Sequence, residues 1–504
     1  MIARSGHSSR TESTGTPAAP VLIVGAGPTG LSAALALARW KVPTIVIDED
    51  ETIAMEGSRS ICVQAHTLAI FERLGARAVA DEGISWNVGR TYYRDRELFQ
   101  VRLSEVGAEE FPRFVNIPQW RVEQILLEAA EREPLIRVEW RARVDALAQD
   151  EQGVTVRAGS RSWRGSYLIA ADGGHSTVRE LAGIPFPGSD HADRFLIADV
   201  HAGLPFPNER RFFFDPPFNP GRQVLIHPQP DDVWRIDWRV PREFDLAAER
   251  ANGGVDRRIR QIVGEVPYEI VWVTTYVFHQ RLAPRFREGR LFLAGDAAHL
   301  MSVFGARGMN SAVQDADNLA WKLALVWHGF AADALLDTYH AERHPAAVEN
   351  LRITGNTMRF LAPPNPLMRL RRNLILRGSR FGWIRRHVDS GRLSEPFAYA
   401  GSPIVDGDGA VVADRPVVAD GLGTRLRHRL GASFVLAVPG PDAAAPALSV
   451  PLSVVVDESL ASPILVRPDG HLAARLASVS DLERALARAT ASPSIDAGWA
   501  GKAE

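Results

Sequence analysis

At 504 residues the chain is too long for one hydrophobic core, so two or three domains are expected. Its 46% hydrophobic and 23% charged residues exclude collagen-like and disordered classes, and a formal charge of −2 supplies no general basic field for nucleic acid. The single cysteine, Cys62, excludes an internal disulfide and a cysteine-rich metal site and suits a reducing, cytoplasmic setting.

Residues 1–19 are rich in Ser, Thr, Gly and Pro without an apolar core, and read as a disordered tail. Val21–Val24 is a continuous apolar run, the pattern of a parallel strand covered on both faces. Gly25-Ala26-Gly27-Pro28-Thr29-Gly30 follows, and Leu31–Trp40 then reads as a helix. Gly25 permits the tight turn, Gly27 lets a pyrophosphate approach the backbone, and Gly30 allows close helix–strand packing, with the helix N-terminus facing the phosphates. A second strand, Thr44–Ile47, ends at Asp48 and Glu49, where a carboxylate can accept hydrogen bonds from ribose hydroxyls. Together these predict a dinucleotide site and leave FAD and NAD undivided. Three glycines and Pro28 interrupt Val21–Ala38 too closely for a membrane span.

Two more strand-and-turn units lie further along. Tyr167–Ala170 leads into Asp172-Gly173, and Arg290–Ala294 leads into Gly295-Asp296 and then Gly305–Asn310. Between them Phe195–Ala283 changes to short alternating runs, among them Gln223–His227 and Val233–Val240, expected as antiparallel strands. In Trp234–Trp238 the alternation places Arg235 and Asp237 on one face and Trp234, Ile236 and Trp238 on the other. A helix is expected over Asn310–His328, with Asn310 as its N-cap and Gly329 as its stop. His340 and His344 are spaced i, i+4, but no acidic or cysteine pattern accompanies them and no metal is expected. Met358–Arg392 is basic and broken by prolines, as in a helical linker. Gly401–Val405, Ser433–Val438, Ser453–Val456 and Ile464–Val466 look like strands of a last domain.

In order and context, the glycine turn, Asp172-Gly173 and Gly295-Asp296 resemble the class A flavin monooxygenases, the family of para-hydroxybenzoate hydroxylase and phenol hydroxylase, over roughly residues 20–355. The resemblance implies an α/β fold: a Rossmann-like FAD-binding domain, an inserted and mostly antiparallel substrate sheet, and a thioredoxin-like C-terminal domain. The expected borders are 20–92 with 112–190 and 281–357 for FAD, 93–111 with 191–280 for substrate, 358–400 for the linker and 401–497 for the last domain. It further implies FAD as cofactor, NADPH or NADH as co-substrate, and O2. The activity implied is hydroxylation of an aromatic, phenolic small molecule through a flavin C4a-hydroperoxide.

By the same resemblance Asp296 bonds the ribityl chain, Asp172-Gly173 braces the pyrophosphate region beside the nicotinamide path, Arg59 contacts a phosphate or ribose, and Gln119 reaches the flavin. Gly308, Met309 and Asn310 bring backbone N–H groups to the flavin N1–C2=O edge, and Arg307 adds a charge where the family often has Gln or Lys. Arg235 resembles a family arginine near the ring, with Asp237, His227 and Gln229 as pocket groups. One departure stands out: Met301-Ser302-Val303-Phe304 replaces a segment where the family usually has two prolines. The same flavin site permits epoxidation or Baeyer–Villiger oxidation, and a flavin-binding sensor without turnover is the alternative from another class. Trp234 and Trp238 stand four apart, unlike the Trp-x-Trp-x-Ile-Pro run of halogenases. No nucleic-acid or membrane partner is expected. The last domain has no cysteine, which leaves it packing or homodimer contacts rather than redox exchange; lacking a cofactor motif, it is expected to be dispensable for FAD binding.

Overall fold

The computed structural model describes residues 19–54, 60–103, 107, 110–302, 304–363, 365–388, 393–441 and 450–492. The expected 1–19 tail, apart from Ala19, and Arg59 lie outside these residues. Val21–Val24 forms the heart of a six-stranded sheet ordered Arg287–Glu288, Leu291–Leu293, Tyr167–Ala170, Val21–Val24, Thr44–Ile47, Ile136–Glu139. Its pairings are parallel except at the Arg287–Glu288 edge. Val21, Leu22 and Ile23 are fully buried, which is why this strand shows no polar alternation. Each such side chain contributes about 1.5–3 kcal/mol by leaving water. The first helix runs Pro28–Arg39, starting earlier than Leu31, because Pro28 occupies its first turn, where the missing N–H has no intrahelical partner to lose. It packs against the long helix Gly308–Trp327.

The alternating runs build an eight-stranded sheet ordered His299–Leu300, Glu269–Leu282, Gly188–His201, Val233–Val240, Gln223–Pro228, Glu209–Phe214, Val88–Tyr93, Arg96–Arg102. All its pairings are antiparallel except Glu209–Phe214 with Val88–Tyr93. Val88–Tyr93 therefore belongs to this sheet and not to the 20–92 segment expected for FAD. Its alternating burial and the Tyr92 ring, stacked 4.5 Å from Phe213, fix it there. Trp234, Ile236 and Trp238 pack with Ile259 and Val263 of the Gly254–Val263 helix, on the face the alternation predicted.

The last domain holds a six-stranded sheet in which Phe434–Val438 and Leu452–Val456 pair in parallel, while Ile464–Val466 and Leu472–Arg475 add antiparallel strands. Gly401–Val405 is not a strand. Ser402 N bonds Tyr399 O at 2.9 Å and Val405 N bonds Ser402 O at 3.2 Å, making successive turns around Pro403. The basic linker opens on the end of the Asp337–Leu361 helix and continues as helices Pro366–Gly378 and Gly382–Arg385. No helix among the described residues is long and apolar enough to cross a membrane.

The last domain meets the long helices through buried charge. Glu342 accepts from Arg467 Nη1 at 2.7 Å and Nη2 at 2.8 Å, from Lys322 Nζ at 2.7 Å and from Ser402 Oγ at 2.6 Å. Arg467, Glu342 and Lys322 side chains are 0% exposed. Burial opposes the Glu342 anion, but Arg467 and Lys322 outweigh it and hold its pKa well below the usual carboxylate range. Replacing Arg467 with Leu should lower unfolding free energy by about 3–5 kcal/mol, because it takes the guanidinium from two buried carboxylates, Asp469 and Glu342, and leaves Glu342 with Lys322 alone as its ion-pair partner among the described residues. Denaturant melts check this; a loss under about 1 kcal/mol, the worth of an exposed pair, would show that Glu342 does not depend on Arg467.

Candidate active site

The turns of the parallel sheet and one face of the antiparallel sheet line a single cavity of about 670 Å³. At its dinucleotide end Gly25 has φ +105°, and a Cβ there would lie 2.3 Å from Ala171 O. A Cβ on Gly30 would lie 1.9 Å from Gly25 O, whereas one on Gly27 would meet nothing within 4 Å, so the backbone is bare towards the cavity. Asp48 holds this turn: Oδ2 accepts from Ala26 N at 2.6 Å and Oδ1 from Asp50 N at 2.9 Å, which leaves lone pairs for a further donor. Pro28, Thr29, Asp48 and Glu49 line the same end.

Asp172 and Gly173 also line the cavity. The Asp172 carboxylate accepts from Ser176 Oγ at 2.5 Å and Val178 N at 3.0 Å, and so starts the Thr177–Leu181 helix; burial raises its pKa. Arg179 joins this segment to the third motif, donating to Gly174 O and Ala297 O, each at 3.0 Å. Gly295–Ala297 is one turn of 3-10 helix that presents Asp296 to the cavity. Gln119 begins the Gln119–Glu131 helix as expected; its Oε1 accepts from Ser60 N at 3.2 Å and its Nε2 donates to Glu123 at 2.9 Å.

The long helix begins at Gly308, with Arg307 as N-cap, so Asn310 is not the cap. Asn310 is fully buried: its Oδ1 accepts from Gln64 N at 3.0 Å, and its Nδ2 donates to Cys62 O at 2.9 Å and Ala306 O at 2.7 Å. These bonds satisfy the amide better than the end of its own helix would. The N–H groups of Gly308, Met309 and Asn310 still fall in the first turn, where the helix supplies no acceptor. Gly308, Met309 and Arg307 line the cavity, whereas Gly30, Gly295 and Asn310 do not. Arg307 is 3% exposed, its guanidinium donating to Asn350 Oδ1 at 2.6 Å and Leu393 O at 3.0 Å.

At the other end, Arg235 forms a bidentate pair with Asp199 at 2.6 and 2.8 Å, and Gln229 donates to the same carboxylate at 2.8 Å. Asp199 sits opposite Arg235 on the next strand, a partner that no local spacing announces. His227 is opposite Arg235 and Leu225 opposite Asp237, which makes His227 and Asp237 diagonal neighbours on one face of the sheet. Among the described residues nothing hydrogen-bonds His227 Nδ1 or Asp237 Oδ1. Burial, then Arg210 and Arg235, push the His227 pKa well below its ordinary value; burial pushes Asp237 up to about 7 against the pull of Arg235. The walls here are Phe195, Ile197, Leu225, Tyr276, Phe278 and Phe304. Phe304, from the segment that lacks the prolines, lies 5.7 Å from the Phe195 ring. Cys62 donates to Asn116 Oδ1 at 2.9 Å, and burial raises its thiol to about 12, leaving it unreactive. His340 and His344 pack their rings on Phe286, at 5.8 and 5.4 Å, and no group of three or more His, Cys, Asp or Glu poised for a metal occurs among the described residues.

The family model described as FAD binding domain matches residues 18–354, and the chain belongs to that family. It is 32% identical over 378 residues to a 3-(3-hydroxy-phenyl)propionate/3-hydroxycinnamic acid hydroxylase of Mycolicibacterium smegmatis, covering 72% of this chain and 65% of that one. It is 31% identical to a tetracenomycin B2 monooxygenase-dioxygenase of Streptomyces olivaceus, covering 66% and 67%. The chain spans less than two thirds of the first curated relatives it matches, 62–65% of their length. Among solved structures, aklavinone-11 hydroxylase with FAD and aklavinone superposes with TM-score 0.75 at 24% identity over 95% of this chain and 100% of that one. The Diels-Alderase PyrE3 superposes at 0.73 with 25% identity over 94% and 100%.

Gly25→Ala should abolish FAD retention, since its Cβ meets a backbone carbonyl and its φ is unfavourable for alanine. The check is the flavin-to-protein absorbance ratio after purification; a ratio equal to that of the parent would remove the turn from the site.

Proposed function

We propose that the chain is an FAD-dependent monooxygenase that hydroxylates a phenolic small molecule with NADPH or NADH and O2. The observation that carries this is one cavity joining a dinucleotide cradle to an aromatic-walled end where His227 Nδ1 and Asp237 Oδ1 have no hydrogen-bond partner among the described residues. The donor set suits FAD: bare backbone at Gly27, a carboxylate at Asp48 for ribose, Asp296 for ribityl hydroxyls, and first-turn N–H groups with the Arg307 cation for a ring edge that becomes negative. Bound there, FAD supplies hydride acceptance and oxygen activation.

The protein's own groups do the rest. Gly27, Asp48 and Glu49 hold the adenosine side, Asp172-Gly173 the pyrophosphate region, and Gln119 the flavin side. Gly308, Met309, Asn310 and Arg307 stabilise negative charge at the ring edge. The aromatic walls orient the substrate ring and exclude water. Asp237 accepts the phenol proton, neutral His227 holds the same oxygen, and Arg235, kept in place by Asp199, sets the local potential. We also read 401–497 as thioredoxin-like, which the parallel central pair and the antiparallel strands beside it support.

The fold alone does not decide chemistry, since a Diels-Alderase shares it. The deciding experiment measures NAD(P)H oxidation, hydroxylated product and H2O2 across a panel of phenols. Phenol-stimulated oxidation with hydroxylated product is expected, and no stimulation by any phenol would defeat the reading.

Two variants test the roles. Asp237 must be ionised to take a proton, so product formation should rise with pH through about 7. Asp237→Asn should flatten that rise and lower the rate by roughly 10²–10⁴-fold. An unaltered pH profile would place the base elsewhere. Arg307→Ala should make bound flavin harder to reduce, because the cation favours the anionic reduced form over the neutral oxidised one. A midpoint potential equal to or above that of the parent, with FAD retained, would leave the ring edge to the helix N-terminus alone.

A further inference from the structure

The Gly295-Asp296 turn and the first turn of the Gly308–Trp327 helix are separate in sequence, yet one buried cation braces both. Asp315, fully buried inside that helix, accepts Gly295 N at 3.0 Å on Oδ2, and His299 Nε2 lies 2.7 Å from the same oxygen. Its other oxygen accepts Arg343 Nε at 2.6 Å. Burial opposes the Asp315 anion, but Arg343 and then His299 outweigh it and lower its pKa. Arg343 Nη2 reaches Ser311 O and Oγ, each at 3.1 Å, and Ser311 N closes the first turn on Arg307 O at 2.9 Å. Arg343 thus spans the segment that presents Asp296 and the turn whose N–H groups face the cavity.

Its remaining nitrogen points out of this domain. Arg343 Nη1 donates to Tyr399 OH at 2.9 Å. Tyr399 is 3% exposed and bound to the last domain: its N donates to Gly409 O at 3.0 Å, its ring lies 4.3 Å from His471, and the Arg467 guanidinium lies 5.0 Å from the ring. A guanidinium has donors in a fixed fork, so anchoring one arm fixes the direction of the others.

We infer that Arg343 is a positioning residue for FAD and that the last domain is part of the cofactor site, because it holds Tyr399 at the end of the linker and Tyr399 fixes the guanidinium that aligns Gly295-Asp296 with the helix N-terminus. This rests on Asp296 and that N-terminus facing the flavin, and it runs against the expectation that the last domain is dispensable for FAD, because Gly409, Arg467 and His471 of that domain are what hold Tyr399.

The test uses the full chain, with FAD dissociation constants from flavin-fluorescence titration of apoprotein and midpoint potentials of the bound flavin, all well below the melting temperature. Tyr399→Phe removes one hydroxyl and keeps the ring. Ser402→Ala is the control: its hydroxyl lies in the same interface at 2.6 Å from Glu342, and Arg343 is not among its bonding partners. Tyr399→Phe should weaken FAD about tenfold, equivalent to about 1.4 kcal/mol, and shift the potential, whereas Ser402→Ala should lower the melting temperature with FAD affinity unchanged. If Tyr399→Phe does not fold, Arg343→Lys, which keeps the charge but loses the fork, carries the same expectation. FAD affinity and potential equal to those of the parent in the variant tested overturn the inference. So does equal weakening by Ser402→Ala, which would make the effect one of general interface integrity. A parent that takes up no FAD defeats the cofactor reading as well.

Discussion

The contact between Gly25 and the carbonyl of Ala171 is the constraint on which the site depends. Val21–Val24 and Tyr167–Ala170 run side by side, and each delivers a turn at the same end of the sheet. Any side chain at position 25 would push those turns apart, because its Cβ would lie 2.3 Å from the carbonyl oxygen. With hydrogen there instead, the glycine turn and Asp172-Gly173 flank one cavity. The Leu291–Leu293 strand brings Gly295-Asp296 to the same edge, where ligands of open parallel sheets are generally found.

Three buried ion pairs stand around or behind the site: Arg235 with Asp199, Arg343 with Asp315, Arg467 with Glu342. Apolar residues of similar size would often be as stable, so such pairs are weak evidence of stabilisation. What they do supply is direction, since a bidentate guanidinium fixes its partner in plane and angle. All three pairs stand on elements that border the cavity or hold those that do. Asp237 and His227 differ in having a carboxylate or ring atom without a hydrogen-bond partner among the described residues, on the face that lines the cavity.

Legibility in the sequence followed the range of the interaction. The glycine turn, the buried parallel strand and the Trp234–Trp238 alternation are local patterns, and all were readable because neighbours along the chain determine them. Asp199, Asp315 and Arg343 escaped notice because their partners are set by strand register or helix packing. Asn310 looked like a cap because capping is a local rule; a strand far back in the chain claims its amide instead. Gly401–Val405 carries apolar residues suited to a strand, but Pro403 and the two turns around it settle the backbone otherwise.

The pairing of Val88–Tyr93 with Glu209–Phe214 has a consequence in time. The hairpin of Val88–Tyr93 and Arg96–Arg102 is made early, yet the strand that covers its inner edge leaves the ribosome only after the intervening parallel-sheet segments. At roughly 5–20 residues per second that wait is on the order of ten seconds, during which Tyr92 and the open edge have no partner from Glu209–Phe214. An unpaired edge is a template for wrong pairing. The charges of Arg96, Glu97 and Arg102, already present on that hairpin, are therefore suited to a second task, keeping nascent chains apart until the sheet can close.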